Sequence, residues 1–510
     1  MTDNSARLIV SGGRVYRHGG DTNQPEIADI LIEDGKITAV GPDIAGTEAA
    51  AGAQVIDARD RLVLPGFVNS HYHSHDVLLK GAFETIPLEL WVLNALPPSY
   101  PRRGKDELRA RTLLGAYECL RSGITTVQDL ATVYPFNEED LEVVLDAYAE
   151  IGIRVVFALQ VADVAGVDSI PYWKECVPEE MRAALTGAVE PFKDRDLFSV
   201  VRDVTDTYRD RHEMISWALG PSSPERCSEP FLRNLAGLSE SADLPVYTHI
   251  YESKAMTLIA RQHFPQDKGS LINYLGRVGL LGPRLSLAHS VWMLPEEIET
   301  LGRTGTNVVL NPVGNMKTKS GVAPIRGYFD AGVNIALGCD NCSCSDAQNM
   351  FQAMKMFALL SAISDPEMGP PTAAQALEAA TLSGARTAGM SGQIGALEVG
   401  HKADLSILDL ADPSYIPFNS AARQTVFTES SRSVETVIVN GRVVLRDRSL
   451  TTVDERALRE EIEGLIGNLQ KDVAEVTARN DRMLKYLQEA HRRTWQDDVG
   501  LNRYVAAGRG

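Results

Sequence analysis

Three histidines occupy alternating positions in one short segment, at His71, His73 and His75, and Asp76 follows them directly. The chain has 510 residues and only ten histidines, so three within one segment is a strong local enrichment. In a β-strand, residues i and i+2 face the same side. His71 and His73 can therefore direct their imidazoles at one metal ion.

Other residues able to bind a metal or carry a proton follow short apolar runs later in the chain. They are His249, Glu252 three residues after it, His289 and Asp340. Three neutral imidazoles and one carboxylate suit Zn²⁺ or Fe²⁺ and do not suit Ca²⁺ or Mg²⁺. A site of this kind with one open position lowers the pKa of bound water from 15.7 to about 7. The expected attacking group is then a metal-bound hydroxide.

The central part of the chain repeats a unit of buried strand, polar loop and amphipathic helix. Eight strand candidates begin at Phe67, Thr125, Val155, Ile215, Val246, Leu285, Asn307 and Asn334, and the last extends to Asp340. Eight such units predict an α/β protein with a (β/α)8 TIM barrel, over residues 65–394. Catalytic groups of such barrels stand where the strands end, and the candidate residues occupy those positions.

Both ends of the chain differ from this central pattern. Short alternating strands, with a tight turn at Asp34-Gly35, predict a small β-sandwich domain built from residues 1–64 and 395–452. Residues 453–510 are charged and mostly helical in pattern, which predicts a C-terminal extension. Packing of that extension on the barrel and contact with another subunit are equally weighted alternatives.

Composition excludes several classes of partner. The net charge of −18 argues against binding of nucleic acid or of an anionic membrane surface. There is no apolar run of 18 residues and no basic or apolar signal region at the start, so a cytoplasmic location is expected. Six cysteines are few for this length and predict free thiols in a reducing compartment.

Five motifs occur in order along the chain. They are Pro65-Gly-Phe-Val-Asn-Ser-His-Tyr-His, Thr248-His-Ile-Tyr-Glu, Ala288-His-Ser-Val-Trp, Asn311-Pro-Val-Gly-Asn and Ala336-Leu-Gly-Cys-Asp. Together they resemble the amidohydrolase superfamily, in particular its mononuclear deaminase and chlorohydrolase branch, with its cytosine deaminases and triazine hydrolases. The resemblance covers roughly residues 5–450.

The resemblance implies roles for individual residues. One divalent ion per subunit, Zn²⁺ or alternatively Fe²⁺, would have four ligands: His71, His73, His249 and Asp340. Glu252 would be the proton shuttle, and His289 would orient and deprotonate the water together with Asp340. Binuclear relatives carry a carboxylated lysine at the end of strand four. The run Ile215-Ser-Trp-Ala-Leu-Gly contains no lysine, which favours a single ion.

Substrate contacts are expected from His75, Trp91 and Gln160. Trp91 follows strand one, where an aromatic ring can stack on a planar substrate, with core packing as the competing interpretation. His75 and Asp76 either touch substrate or support the metal ligands. The remaining histidines are expected at the surface: His18, His212, His263, His401 and His491.

The favoured function is hydrolytic deamination of a planar nitrogen heterocycle, a small-molecule substrate. The hydroxide would attack the amidine carbon while Glu252 protonates the ring nitrogen. The same residues would also serve hydrolysis of an amide, urea, carbamate or thiocarbamate, or displacement of a ring substituent such as chloride. A metal-free scaffold without catalysis is the alternative from another class. A homodimer or higher homo-oligomer is expected from the helical extension and the resemblance.

Overall fold

Two nine-stranded sheets organise the protein. The computed structural model describes residues 7–186 and 196–504. Its strands are, in chain order, β1 (Leu8–Val15), β2 (Ile27–Glu33), β3 (Lys36–Gly41), β4 (Gln54–Asp57), β5 (Arg61–Pro65), β6 (Phe67–His73), β7 (Ile124–Ala131), β8 (Arg154–Val161), β9 (Ile215–Pro221), β10 (Val246–Ile250), β11 (Leu285–His289), β12 (Asn307–Leu310), β13 (Ile335–Leu337), β14 (Asp340–Asn341), β15 (Leu405–Asp409), β16 (Val434–Val439), β17 (Arg442–Arg446) and β18 (Ser449–Leu450).

Helices cover the barrel sheet, and the last of them ends at Gln496. They are α1 (Leu88–Ala95), α2 (Lys105–Arg121), α3 (Glu138–Ile151), α4 (Trp173–Cys176), α5 (Glu179–Thr186), α6 (Leu197–Tyr208), α7 (Glu229–Ala242), α8 (Lys254–His263), α9 (Leu271–Arg277), α10 (Pro295–Thr304), α11 (Pro312–Lys317), α12 (Ile325–Asp330), α13 (Cys342–Ser345), α14 (Met350–Ser364), α15 (Ala373–Ala379), α16 (Leu382–Thr387), α17 (Ala421–Phe427) and α18 (Glu455–Gln496).

The strands β6 to β13 are parallel neighbours in sequence order, as the barrel prediction requires. Most of their residues are buried, because helices cover the outside and side chains fill the inside. The predicted eighth strand is one continuous run, but in the structure it is two pieces. The piece β13 pairs with β12, and β14 pairs with β6, so the sheet closes on itself.

The break in the eighth strand lies at Gly338, between β13 and β14. A Cβ atom at this position would stand 2.6 Å from Cβ of His71 and 2.4 Å from Oδ1 of Asn311. Only a residue without a side chain allows the strand to pass this close to the first strand. The close approach brings Asp340, two residues later, next to the histidines of β6.

The second sheet takes strands from both ends of the chain, in the order β18-β17-β16-β15-β5-β1-β2-β3, with β4 beside β1. This agrees with the predicted β-structure built from both termini. The predicted hairpin turn at Asp34-Gly35 is confirmed, since both residues have positive φ and β2 pairs antiparallel with β3. A buried bidentate ion pair joins the two sheets: Arg154 at the start of β8 donates to both carboxylate oxygens of Asp404.

The helix α18 is 42 residues long and lies against α1, α2, α4 and α8. Its buried side chains include Leu469, Val476, Met483 and Ala490, spaced at seven residues, which places them on one face. The structure therefore shows this helix packed on the barrel, while a subunit contact stays a prediction. Within the described residues, no helix is long and apolar enough to cross a membrane.

Candidate active site

Three imidazoles converge where strands β6 and β10 end. The Nε2 atoms of His71 and His73 are 3.2 Å apart, and those of His73 and His249 are 3.3 Å apart. His71 and His73 are each only 2% exposed. The structure thus brings His249 next to His71 and His73, which lie far from it in the sequence.

Backbone carbonyls determine which ring nitrogen carries the proton. The Nδ1 atom of His73 lies 2.6 Å from the carbonyl oxygen of Leu130, and Nδ1 of His249 lies 2.6 Å from that of Ser222. A carbonyl oxygen only accepts, so each Nδ1–H donates and each Nε2 presents a lone pair. Two lone pairs 3.3 Å apart cannot bond to each other. A cation between them would satisfy both.

Asp340 completes this cluster from the start of β14. Its Oδ1 atom is 3.5 Å from Nε2 of His71 and 3.6 Å from Nε2 of His73. Bonds of 2.0–2.2 Å to one zinc ion place neighbouring ligand atoms about 3–3.5 Å apart. The nitrogen and oxygen donors are also those that zinc prefers. The side chains present therefore fit one divalent metal ion.

Burial keeps these imidazoles neutral. Loss of solvation, followed by repulsion from neighbouring imidazoles, lowers the pKa of His71 and of His73 well below the ordinary value. The same cause lowers the pKa of His249 to about 4. Neutral imidazole is the form that binds metal, so the site is set up for a cation at neutral pH.

Glu252 and His289 lie together beside this cluster. The Oε2 atom of Glu252 is 3.4 Å from Nε2 of His289, which is 4.0 Å from Oδ2 of Asp340. Burial raises the pKa of Glu252 well above its ordinary value, and the nearby carboxylates of Asp340 and Glu89 raise it further. A protonated carboxyl facing the metal-binding cluster can act as a proton donor.

Unusual backbone conformations occur at these strand ends. His289 and Asp340 have φ values of 68° and 65°, and Tyr251, just before Glu252, has a φ of 46°. Left-handed conformations of non-glycine residues cost roughly 1–3 kcal/mol each and cluster at functional sites. Their presence at three neighbouring strand ends is in keeping with an active site.

A cavity of about 420 Å³ opens beside the cluster. His73, His249, Glu252 and Asp340 are among the residues that line it. This volume lies within the range of about 300–1,000 Å³ that is typical of small-molecule sites. Three of the four predicted metal ligands and the predicted proton donor therefore share one pocket with room for an organic substrate.

The three predicted substrate contacts, His75, Trp91 and Gln160, also line this cavity. The indole of Trp91 donates to the hydroxyl of Ser343, and the amide of Gln160 donates to the hydroxyl of Ser222. Nδ1 of His75 accepts from the backbone N–H of Thr132 at 3.2 Å. Their contact with substrate stays a prediction.

Asp76 has a supporting position. Its carboxylate accepts from the backbone N–H groups of Cys342 and Ser343 and from the hydroxyl of Ser343. These bonds hold the segment that follows Asp340. Of the two alternatives for Asp76, the structure favours support of the site.

Two of the histidines expected at the surface are only partly exposed and contact residues distant in the sequence. Nε2 of His18 contacts the carbonyl oxygen of Gly395 at 3.2 Å. Nδ1 of His491, on α18, donates to Glu89 Oε2 at 3.1 Å. Both partners lie hundreds of residues away, so sequence patterns carry no signal for these contacts.

Glu89 is a pocket residue that the sequence did not indicate. It is 7% exposed and lines the cavity, and its Oε1 atom accepts from the hydroxyl of Ser253 at 2.5 Å. Burial alone would raise the pKa of Glu89, but the bonds from His491 and Ser253 bring it below the ordinary value. The C-terminal helix is thereby connected to the residue that follows Glu252.

We expect His491→Leu to lower the unfolding free energy by about 1–3 kcal/mol, because the buried carboxylate of Glu89 loses a hydrogen-bond donor. Urea unfolding at pH 7 would measure the change. The lowered pKa means that this stabilisation is present above the ordinary carboxyl pKa and is lost as the pH falls through the lowered value. The unfolding free energies of His491→Leu and the wild type should therefore become equal at acid pH. At pH 7, His491→Asn should lose less unfolding free energy than His491→Leu. Equal stability of His491→Leu and wild type at pH 7 would contradict the assignment.

Comparisons with known proteins agree with this geometry. Residues 62–444 match the model of the amidohydrolase family. The chain is 32% identical over 467 residues to 5'-deoxyadenosine deaminase of Methanothermobacter thermautotrophicus, covering 91% of this chain and 98% of the relative. It is 29% identical over 451 residues to 5-methylthioadenosine/S-adenosylhomocysteine deaminase of Pyrococcus furiosus, covering 88% and 98%.

Solved structures are similar over nearly their whole length. An adenosine deaminase from Xanthomonas campestris with bound zinc has a TM-score of 0.78 at 25% identity, covering 93% of this chain and 99% of that one. Atrazine chlorohydrolase from Arthrobacter aurescens, complexed with zinc, has a TM-score of 0.77 at 24% identity, covering 90% and 100%, and shares the fold. The chain belongs to the amidohydrolase family and is an enzyme of its deaminase and chlorohydrolase branch.

Proposed function

We propose that this enzyme hydrolytically deaminates a planar nitrogen heterocycle with one divalent metal ion, Zn²⁺, per subunit. The proposed ligands are His71, His73, His249 and Asp340. The observation that carries the proposal is Glu252, a buried carboxyl with a raised pKa beside this neutral donor set. That arrangement supplies a proton donor next to a place where water can be activated.

Each residue near the proposed metal ion has its own role in the reaction. A bound zinc ion supplies Lewis acidity, which lowers the pKa of a coordinated water to about 7. Asp340 accepts a proton from the water, and His289, whose buried Nε2 atom has no hydrogen-bond partner among the described residues, orients it. Glu252 delivers its proton to the ring nitrogen of the amidine group. The water oxygen adds to the amidine carbon, and the exocyclic nitrogen then receives the proton held by Asp340. The bond between carbon and this nitrogen breaks and ammonia leaves, while the added hydroxyl gives its remaining proton back to Glu252 and becomes a carbonyl.

The names of the relatives suggest where to look for the substrate. The two curated relatives act, by name, on 5'-deoxyadenosine and on 5-methylthioadenosine or S-adenosylhomocysteine. We therefore propose an adenine-type ring as the first candidate. Such a ring carries the planar amidine group that the proposed chemistry needs.

A substrate panel tests this function. Zinc-loaded enzyme is incubated with 5'-deoxyadenosine, adenine, atrazine, an anilide and an aryl urea, and ammonia, chloride and amine release are measured. We expect ammonia release from an adenine-type compound, and its loss after chelation and dialysis, with recovery on addition of zinc. Release of amine or chloride without any ammonia would reject deamination.

We also propose that the enzyme is cytoplasmic and works as a homodimer or higher homo-oligomer. All six cysteines are free, and five of them are buried, which suits a reducing compartment. The proposed domains are 1–64 with 395–452, then 65–394, then 453–510. Light scattering of the purified protein would test the oligomeric state.

A further inference from the structure

One wall of the cavity carries two opposite charges side by side. Glu225 and Arg226 belong to the short turn Pro224–Arg226, which follows strand β9, and both line the cavity. Neither belongs to the proposed ligand set or to the proton-transfer groups. Charged residues in a pocket wall without a role in the chemistry call for another explanation.

Each of the two charged groups has one polar atom that the protein leaves without a hydrogen bond. Within the described residues, Oε2 of Glu225 and Nε of Arg226 are buried atoms without a hydrogen-bond partner. The other carboxylate oxygen of Glu225 accepts from the hydroxyl of Ser223 at 2.7 Å, and Nη1 of Arg226 donates to Ser222 at 3.2 Å. Each side chain is thus held in place while one polar atom stays free.

The same wall continues to Gln160. Its Nε2 atom donates to the hydroxyl of Ser222 at 3.0 Å, and its Oε1 atom has no partner among the described residues. The carbonyl of Ser222 also accepts from Nδ1 of His249. This polar wall therefore adjoins the strand end that holds a proposed metal ligand.

Buried polar atoms without partners are unfavourable, and a ligand that pairs with them gains affinity. A free carboxylate oxygen needs a donor, while a free guanidinium N–H needs an acceptor. A hydroxyl group is both, so hydroxyls on neighbouring carbons can bond to both residues at once. A flat ring held at the metal cluster offers no such group at this wall unless it carries a substituent.

We propose that Glu225 and Arg226 are specificity-determining residues that bind the hydroxyl groups of a sugar-like substituent on the heterocycle. This inference rests on the proposed function for the placement of the ring at the metal cluster. It predicts that the enzyme prefers a glycosylated ring over the same ring without a sugar. Gln160 adds an amide at the edge of this subsite.

The test measures binding in a Glu252→Gln background, so that ligands are not consumed. Calorimetry compares 5'-deoxyadenosine with 9-methyladenine, which keeps the ring and has a methyl group in place of the sugar. We expect the nucleoside to bind at least about tenfold more tightly. Glu225→Gln and Arg226→Met should each weaken nucleoside binding by about 10-fold or more, since charge-assisted hydrogen bonds are lost. Binding of 9-methyladenine should change less than about twofold.

Glu229→Gln is the matched control. Glu229 is the next glutamate in the chain, is partly exposed, and pairs with Arg277. It should alter neither affinity. Zinc content and thermal midpoints show whether the variants fold. If Glu225→Gln does not fold, Arg226→Met alone tests the proposal.

Equal affinities of the enzyme for the nucleoside and for 9-methyladenine would overturn the proposal. It would also be overturned if Glu225→Gln and Arg226→Met weakened the binding of the two ligands by the same factor. Failure of the proposed function gives a different result. An enzyme that releases no ammonia from either compound is not an adenine-type deaminase, but the binding comparison still decides whether Glu225 and Arg226 recognise hydroxyls.

Discussion

Glu252→Gln should lower kcat by about 10²–10⁴-fold, the range typical of a lost general acid or base. The amide has nearly the shape of the carboxyl group but cannot deliver a proton. The raised pKa of Glu252, caused by burial and then by Asp340 and Glu89, keeps the wild-type group protonated as required. Steady-state kinetics with the substrate found in the panel would measure the effect.

Two further measurements separate loss of the acid from loss of the metal. Glu252 lies 3.4 Å from His289 and is outside the proposed ligand set, so zinc content should stay at the wild-type level. Activity of the wild type should fall as the pH rises through the pKa of Glu252, and the variant should lack this dependence. Glu296→Gln, an exposed glutamate on α10, is the control and should behave as wild type. Wild-type kcat in Glu252→Gln would remove this residue from its proposed role.

His73→Ala should lose both the bound zinc and the activity. Removal of one of four ligands leaves an incomplete donor set, and loss of even an outer partner of a ligand costs about 10–100-fold in affinity. We expect a decrease in zinc affinity above that range, with kcat below detection. Elemental analysis after dialysis and competition with a chelator would measure it.

His75→Ala provides a matched control for this variant. It also removes an imidazole, from a buried histidine two residues later in the same segment. His75 accepts from Thr132 and contacts Asn341, with burial lowering its pKa to about 3. Its ring lies 5.1 Å from that of His73, but it is not among the donor groups of the described residues that could hold a metal ion. We expect it to keep its zinc. Loss of zinc in His75→Ala together with retention in His73→Ala would reject the proposed ligand set.

Much of the fold could be predicted because its signals are local. Buried parallel strands appear as short apolar runs, and all eight of those in the barrel were found this way. The spacing of His71 and His73 places both on one side of a strand, and the structure shows their Nε2 atoms 3.2 Å apart. Glu252 and His289 also stand at the strand ends where barrel chemistry was expected.

The split of the eighth strand was not predictable in this way. The run from Asn334 to Asp340 has the composition of one strand, and periodicity cannot show where another backbone approaches. Steric contact of Gly338 with His71 and Asn311 decides the break. Closure of the barrel at this point then positions Asp340 against the imidazoles.

The sequence by itself indicated the barrel, the candidate ligands and the candidate proton donor, since strand period and motif order are properties of neighbouring residues. Only the tertiary structure decided how the pocket is enclosed and lined. The contact of Glu89 with His491 joins residues 402 positions apart. The pocket wall that contains Glu225 and Arg226 forms only when β9 lies beside β10. Such contacts depend on how elements pack, and packing leaves no periodic signal in either partner.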